Sequence, residues 1–178
     1  ADRIHGATFG SQFECDAEAG IYRTGAEYLA AFNARLKFSL TREQWIAARR
    51  VAMRPRPEML AYVARLRERV PVAVLTNNGA LLREALPVLA PELWQLFGER
   101  CHASCEFAAR KPEPRVYARL LARYQVAAES AVFVDDSPGN VVGARAAGLH
   151  GVVFEGLAHL EQAVDSLLAV PGGPVLDP

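Results

Sequence analysis

The chain has 178 residues, 51% of them hydrophobic and 22% charged, and its formal net charge is zero. That length suits one domain, or a core with a small insertion, and the apolar content is enough to bury a real core. The charge balance and the lack of long basic or acidic blocks argue against nucleic acid and anionic membrane surfaces as partners, and no apolar run reaches transmembrane length. The cysteines, Cys15, Cys101 and Cys105, are sparse and odd in number. They suit a reducing, cytoplasmic setting better than a disulfide framework.

Residues 1–20 show no clear period. Thr24-Gly-Ala-Glu27 has the spacing of a helix capping box, and Tyr28, Leu29, Phe32 and Leu36 follow at helical intervals. Thr41-Arg-Glu-Gln44 repeats the box, and a second amphipathic run reaches about Met53. The arginines from Arg42 to Arg56 are interrupted by apolar residues and predict solvated helix faces. Residues 1–54 thus read as a small helical segment. Arg54-Pro-Arg-Pro57 is a breaker, and Pro57 can open the next helix, whose apolar face is Met59, Leu60, Val63 and Leu66.

From residue 55 to about 170 the pattern changes. PVAVLTNNG is a β-branched run of the kind that forms a parallel strand covered on both faces. Helical patterns follow at Ala80–Leu89 and Glu92–Phe97, then a strand pattern at Cys101–Ser104 and a loop holding Arg110-Lys111-Pro112. A helix over 113–124 precedes a strand at Ala131–Val134, which ends in Asp135 and Asp136. Gly148 closes the next helix, Gly151–Phe154 reads as a strand, and Leu157 to Leu168 as a last helix. PGGP marks residues 171–178 as a flexible tail. Strand and helix alternating at this rhythm predict an α/β fold built on a doubly wound, mainly parallel sheet.

In such sheets ligands bind beyond the carboxyl ends of the strands. Thr76, Lys111 and the pair Asp135 and Asp136 all follow strands. A hydroxyl, an ammonium and two carboxylates form a set suited to phosphate and Mg2+. The Thr76 hydroxyl and the Asn77 and Asn78 amides can donate to phosphoryl oxygens, Lys111 can offset negative charge, and the two acids can hold the cation.

VLTNN, RKPEPRVY and VFVDDSPGNVVGARAAG, in that order, resemble the second, third and fourth motifs of the haloacid dehalogenase (HAD) superfamily. The resemblance covers about Pro57 to Phe154, and the segment before it resembles the small helical cap of the phosphatase-like branch. It implies that Thr76 binds the phosphoryl group, that Lys111 stabilises it and that Asp135 and Asp136 serve Mg2+, with Asn140 orienting the acid loop and with Glu14, Glu18 and Tyr22 of the cap lining the substrate entrance. The implied activity is Mg2+-dependent hydrolysis of small phosphorylated metabolites, sugar phosphates among them, through an aspartyl phosphate. A non-catalytic domain binding a phosphorylated ligand or a protein partner is the alternative, and a true dehalogenase ranks below it.

The family's first motif, a strand ending in Asp-x-Asp that supplies the nucleophile, has no match here. Asp16-Ala-Glu18 has the interval but follows no buried strand. The expectation is a chain that begins after that motif, inside the cap, lacks its central strand and hydrolyses little or nothing as it stands. Direct pairing of the flanking strands, strand exchange in a homo-oligomer, or a separate amino-terminal piece would compensate.

Overall fold

The computed structural model describes residues 10–37 and 39–169. The described residues divide into two compact units, one within 10–65 and 72–110, the other within 66–71 and 111–169. The predicted tail, 171–178, lies outside the described residues.

The first unit opens with a helix that periodicity does not reveal, α1 (Gln12–Glu18). Ser11 starts it by accepting a hydrogen bond from the Glu14 N–H, and only Phe13 and Ala17 turn fully inward. Helix α2 (Gly25–Leu36) is capped by Thr24, which accepts from the Glu27 N–H at 3.1 Å. The Glu27 carboxylate takes the Arg23 N–H instead of completing the box, and Glu84 reaches in to accept from the Gly25 N–H at 2.7 Å. A carboxylate at that end also complements the helix dipole. Helix α3 (Arg42–Ala52) has both halves of its box, between Thr41 and Gln44. The Asn33 amide closes the α2–α3 connection by pairing with both the N–H and the carbonyl of Leu40. Helix α4 (Pro57–Leu66) starts on Pro57, as expected of a residue with no N–H to lose at that position.

Then come β1 (Val74–Thr76), α5 (Ala80–Leu89), α6 (Pro91–Phe97) and β2 (Cys101–Ala103). The two strands pair in parallel, Val74 with Cys101 and Thr76 with Ala103. Leu81, Leu82, Ala85, Leu86 and Leu89 line the buried side of α5. Against it sits an aromatic group centred on Phe13, whose ring lies 5.2 Å from Tyr22, 5.3 Å from Tyr28 and 6.2 Å from Phe32. Trp45 of α3 completes the group edge-on to Tyr28.

The second unit holds α7 (Pro114–Tyr124), β3 (Val132–Asp135), α8 (Pro138–Ala146), β4 (His150–Val153) and α9 (Leu157–Leu168). Strands β3 and β4 are parallel, with Val132 opposite His150 and Asp135 opposite Val153. Val116 and Tyr117 of α7, Val141 and Ala144 of α8, and Leu160 and Val164 of α9 are its buried apolar side chains among the described residues. Among the described residues the parallel strands form two two-stranded pieces, β1–β2 and β3–β4.

Phe13 is 6% exposed at the centre of the aromatic group. Truncation there removes a large buried ring that its neighbours cannot replace. Phe13→Ala is expected to lower the unfolding free energy by about 3–5 kcal/mol, read as a shift of the urea midpoint with little change in slope.

Candidate active-site residues

In the second unit, β3 carries Asp135 at its carboxyl end, and the chain entering α7 carries Lys111. The two side chains meet, Lys111 Nζ donating to Asp135 Oδ2 at 2.6 Å, and they are only 9% and 8% exposed. The other carboxylate oxygen, Oδ1, accepts from the Ser137 N–H at 2.9 Å and from Asn140 Nδ2 at 3.0 Å. Burial by itself pushes the Asp135 carboxyl up, but the Lys111, Asn140 and Ser137 hydrogen bonds and the ammonium charge outweigh it and hold the group below the usual aspartate range. Lys111 also lies 5.5 Å from the centre of the Phe133 ring.

A further layer fixes these groups. Tyr117, 1% exposed, donates its hydroxyl to the Asn140 carbonyl at 2.7 Å and stands edge-on to Phe133 at 5.0 Å. Burial, and then the Asp135 charge, raise its hydroxyl far above the ordinary tyrosine value, so it stays a donor. Gly143 lies against the Lys111 loop so closely that a Cβ there would stand 2.0 Å from the Pro112 carbonyl oxygen. Asp136, by contrast, is exposed. The two neighbouring acids are thus unequal: one is aimed and held, the other faces solvent.

In the first unit, β1 ends at Thr76, and Asn77 and Asn78 follow, all half-buried. Asn78 Nδ2 donates to Thr76 Oγ1 at 2.7 Å, and Asn78 Oδ1 accepts from Arg49 Nη2 at 3.1 Å. The Asn78 main chain is tied to the turn after β2, its N–H donating to Ser104 Oγ at 3.2 Å and its carbonyl accepting from the Cys105 N–H at 3.3 Å. Arg49 lies over Trp45, one turn back on α3, with its guanidinium carbon 5.5 Å from the ring centre. Its Nε is buried with no hydrogen-bond partner among the described residues. Leaving such a donor unmade costs about 1–3 kcal/mol, so packing alone does not account for the placement. This corrects the expectation that the Arg42–Arg56 arginines only face solvent.

Glu14 and Glu18 sit one turn apart on α1, on the same face. Glu14 accepts from the Tyr28 hydroxyl at 2.8 Å, and Glu18 from Arg110 Nε at 2.6 Å. Burial raises the Glu14 carboxyl, with the Glu18 charge adding to it, against the opposing pull of Tyr28 and Arg49. Tyr22 lines a recess of ≈ 290 Å³ together with Arg23, Arg83, Glu84, Cys105 and Glu106. Asp16 lies within α1 and accepts from Gln12, so Asp16-Ala-Glu18 is helical and does not end a strand. Burial raises the Cys101 and Cys105 thiols to about 11, which keeps them protonated near neutral pH.

Two substitutions probe the Lys111–Asp135 pair. A depressed aspartate contributes stability that is present above its unfolded value, about 3.9, and is lost as pH falls through the lower folded value. In an NMR titration Asp135 should therefore protonate below that value, and Lys111→Met should move its midpoint upward. Gly143→Ala should displace the Pro112 carbonyl and draw Lys111 away, giving the same upward movement with Lys111 intact.

The model of the haloacid dehalogenase-like hydrolases matches residues 13–148. Among solved structures, an HAD-like family hydrolase from Porphyromonas gingivalis superposes with a TM-score of 0.75 at 22% identity, covering 94% of this chain and 84% of that one. An HAD family enzyme of Bacteroides thetaiotaomicron, solved as a magnesium complex, gives 0.70 at 20% identity, with 86% and 81% covered. Its wild-type complex with magnesium and inorganic phosphate gives 0.68 at 21% identity, with 83% and 78% covered. The structural likenesses establish the α/β fold, the family match spans most of the sequence, and this chain belongs to the haloacid dehalogenase-like hydrolases.

Proposed function

We propose that the chain is the cap and core of a Mg2+-dependent phosphohydrolase acting on small phosphorylated metabolites, sugar phosphates among them. The observation that carries this reading is the buried Lys111–Asp135 contact at a strand end, with each carboxylate oxygen of Asp135 already aimed by fixed donors. An ammonium and an oriented carboxylate held together out of water are what a phosphoryl site requires. The structural neighbour from Bacteroides thetaiotaomicron, which holds magnesium and inorganic phosphate, supports the same assignment.

No group of three or more His, Cys, Asp or Glu side chains suited to a metal comes together among the described residues. One or two carboxylates nevertheless fit Mg2+, which keeps water and phosphate oxygens in its remaining positions. Asp135 would be the principal ligand and Asp136 the outer one. Bound there, Mg2+ would supply positive charge against the phosphoryl oxygens. Thr76 and the Asn77 N–H would donate to those oxygens, Asn78, whose own N–H is taken by Ser104, would orient the Thr76 hydroxyl, and Lys111 would hold its charge against them. Glu14, Glu18 and Tyr22 of the helical segment would line the substrate entrance. The three free cysteines support a cytoplasmic setting.

The 178 residues contain no Asp-x-Asp, so the aspartyl phosphate route has no nucleophile among them. We therefore propose that they bind the phosphoryl group and turn over little or nothing unaided. That same lack favours the second reading, a non-catalytic module for a phosphorylated ligand or protein partner.

Calorimetry with Mg2+ and inorganic phosphate separates the readings. The phosphohydrolase reading expects each to strengthen binding of the other. Asp135→Asn should abolish that synergy, and Asn140→Ala should weaken Mg2+ by about 10–100-fold, as for other partners of a ligating carboxylate. Mg2+ binding that ignores phosphate would sink the hydrolase and favour the module.

A further inference from the structure

The donors and acceptors around Asn78 have a fixed direction. A guanidinium can only donate, so the Asn78 atom 3.1 Å from Arg49 must be its carbonyl oxygen. That choice leaves the amide nitrogen facing Thr76 Oγ1 at 2.7 Å. An amide nitrogen also only donates, so the Thr76 hydroxyl oxygen is the acceptor and its own hydrogen is free to point elsewhere. Hydrogen bonds in such a chain polarise one another, and a cation at the far end strengthens each. The middle residue has little freedom, because its N–H and carbonyl are both held by the Ser104–Cys105 turn.

We propose that Arg49 is a positioning residue for phosphoryl recognition, acting through Asn78 to keep the Thr76 hydroxyl a hydrogen-bond donor toward the ligand. This rests on the phosphohydrolase reading and adds to it a residue of the helical segment that never needs to touch the phosphate. The unpartnered Nε of Arg49 agrees with the assignment: the side chain is held over Trp45 and against Asn78 although one of its donors goes unused.

A double-mutant cycle on the 178-residue chain tests it, with inorganic phosphate titrated calorimetrically in the presence of Mg2+. Thr76→Val and Arg49→Met should each weaken phosphate by roughly 10-fold, the scale of one hydrogen bond to a charged group. In the Thr76→Val background, Arg49→Met should cost less than about 2-fold, because the hydroxyl it directs is gone. Arg49→Lys, which still donates to Asn78, should keep most of the affinity. Thermal melts establish that each variant is folded, and Asn78→Ala, which cuts the middle link, runs through the same cycle should Arg49→Met not fold. A full Arg49→Met loss persisting in the Thr76→Val background would overturn this proposal and leave the phosphohydrolase reading standing. Failure of the unaltered chain to bind phosphate at all would overturn both.

Discussion

The contact on which the second unit turns is the buried ion pair of Lys111 and Asp135. Taking an ammonium and a carboxylate out of water is costly, and their mutual attraction offsets that cost only when the remaining lone pairs are also satisfied. Asp135 meets this condition through Ser137 and Asn140. Much of the surrounding structure serves the same end. Tyr117 holds the main chain at Asn140 and braces Phe133, and the bare backbone of Gly143 lets the Lys111 loop lie directly on α8. Such a pair is poor evidence for stability as such, since apolar residues of the same volume often do as well. What the pair does provide is charge that is pointed in one direction before any ligand arrives.

In the first unit the arrangement is different in kind. The strands are three residues each, so the ladder contributes few hydrogen bonds. Order at the end of β1 comes instead from side chains reaching across sequence: Arg49 to Asn78, Ser104 to Glu18, Arg110 to Glu18. Each link joins the helical segment to the loops beyond the strands. The aromatic group around Phe13 gives that segment a rigid base, and polar contacts extend from it.

The elements themselves were largely legible in the sequence. Ala80–Leu89 and Leu157–Leu168 form over the residues their periodicity predicts, and the Thr41 box and Pro57 mark helix starts correctly. These signals are local. Helix α1 escaped because a seven-residue helix with two buried side chains gives too few repeats to register a period. Of the candidate site, the residue types at strand ends could be read, and the Lys111–Asp135 meeting is in keeping with that reading. The inequality of Asp135 and Asp136 could not, because burial depends on what the fold lays over each carboxylate. Arg49 was hidden among arginines of similar spacing, and only its tertiary contact with Asn78 sets it apart. Gly143 carried a faint signal, a glycine inside a helical run, but the Pro112 carbonyl that requires it lies far away in sequence.

The junction after α1 bears on how the chain can vary. Gly20 has φ +81°, and a Cβ on it would stand 2.5 Å from the Cys105 carbonyl oxygen, while the Ser104 hydroxyl holds the Glu18 carbonyl at 2.8 Å. Main chain here rests on main chain, with no side chain between to absorb a change in length. One inserted residue would advance the helix end by about 1.5 Å and rotate it by a quarter turn or more, carrying Glu14 and Glu18 to another face. Length variation among natural or engineered relatives should accordingly gather elsewhere, in exposed connections such as Arg54–Arg56, where nothing is threaded through a fixed gap.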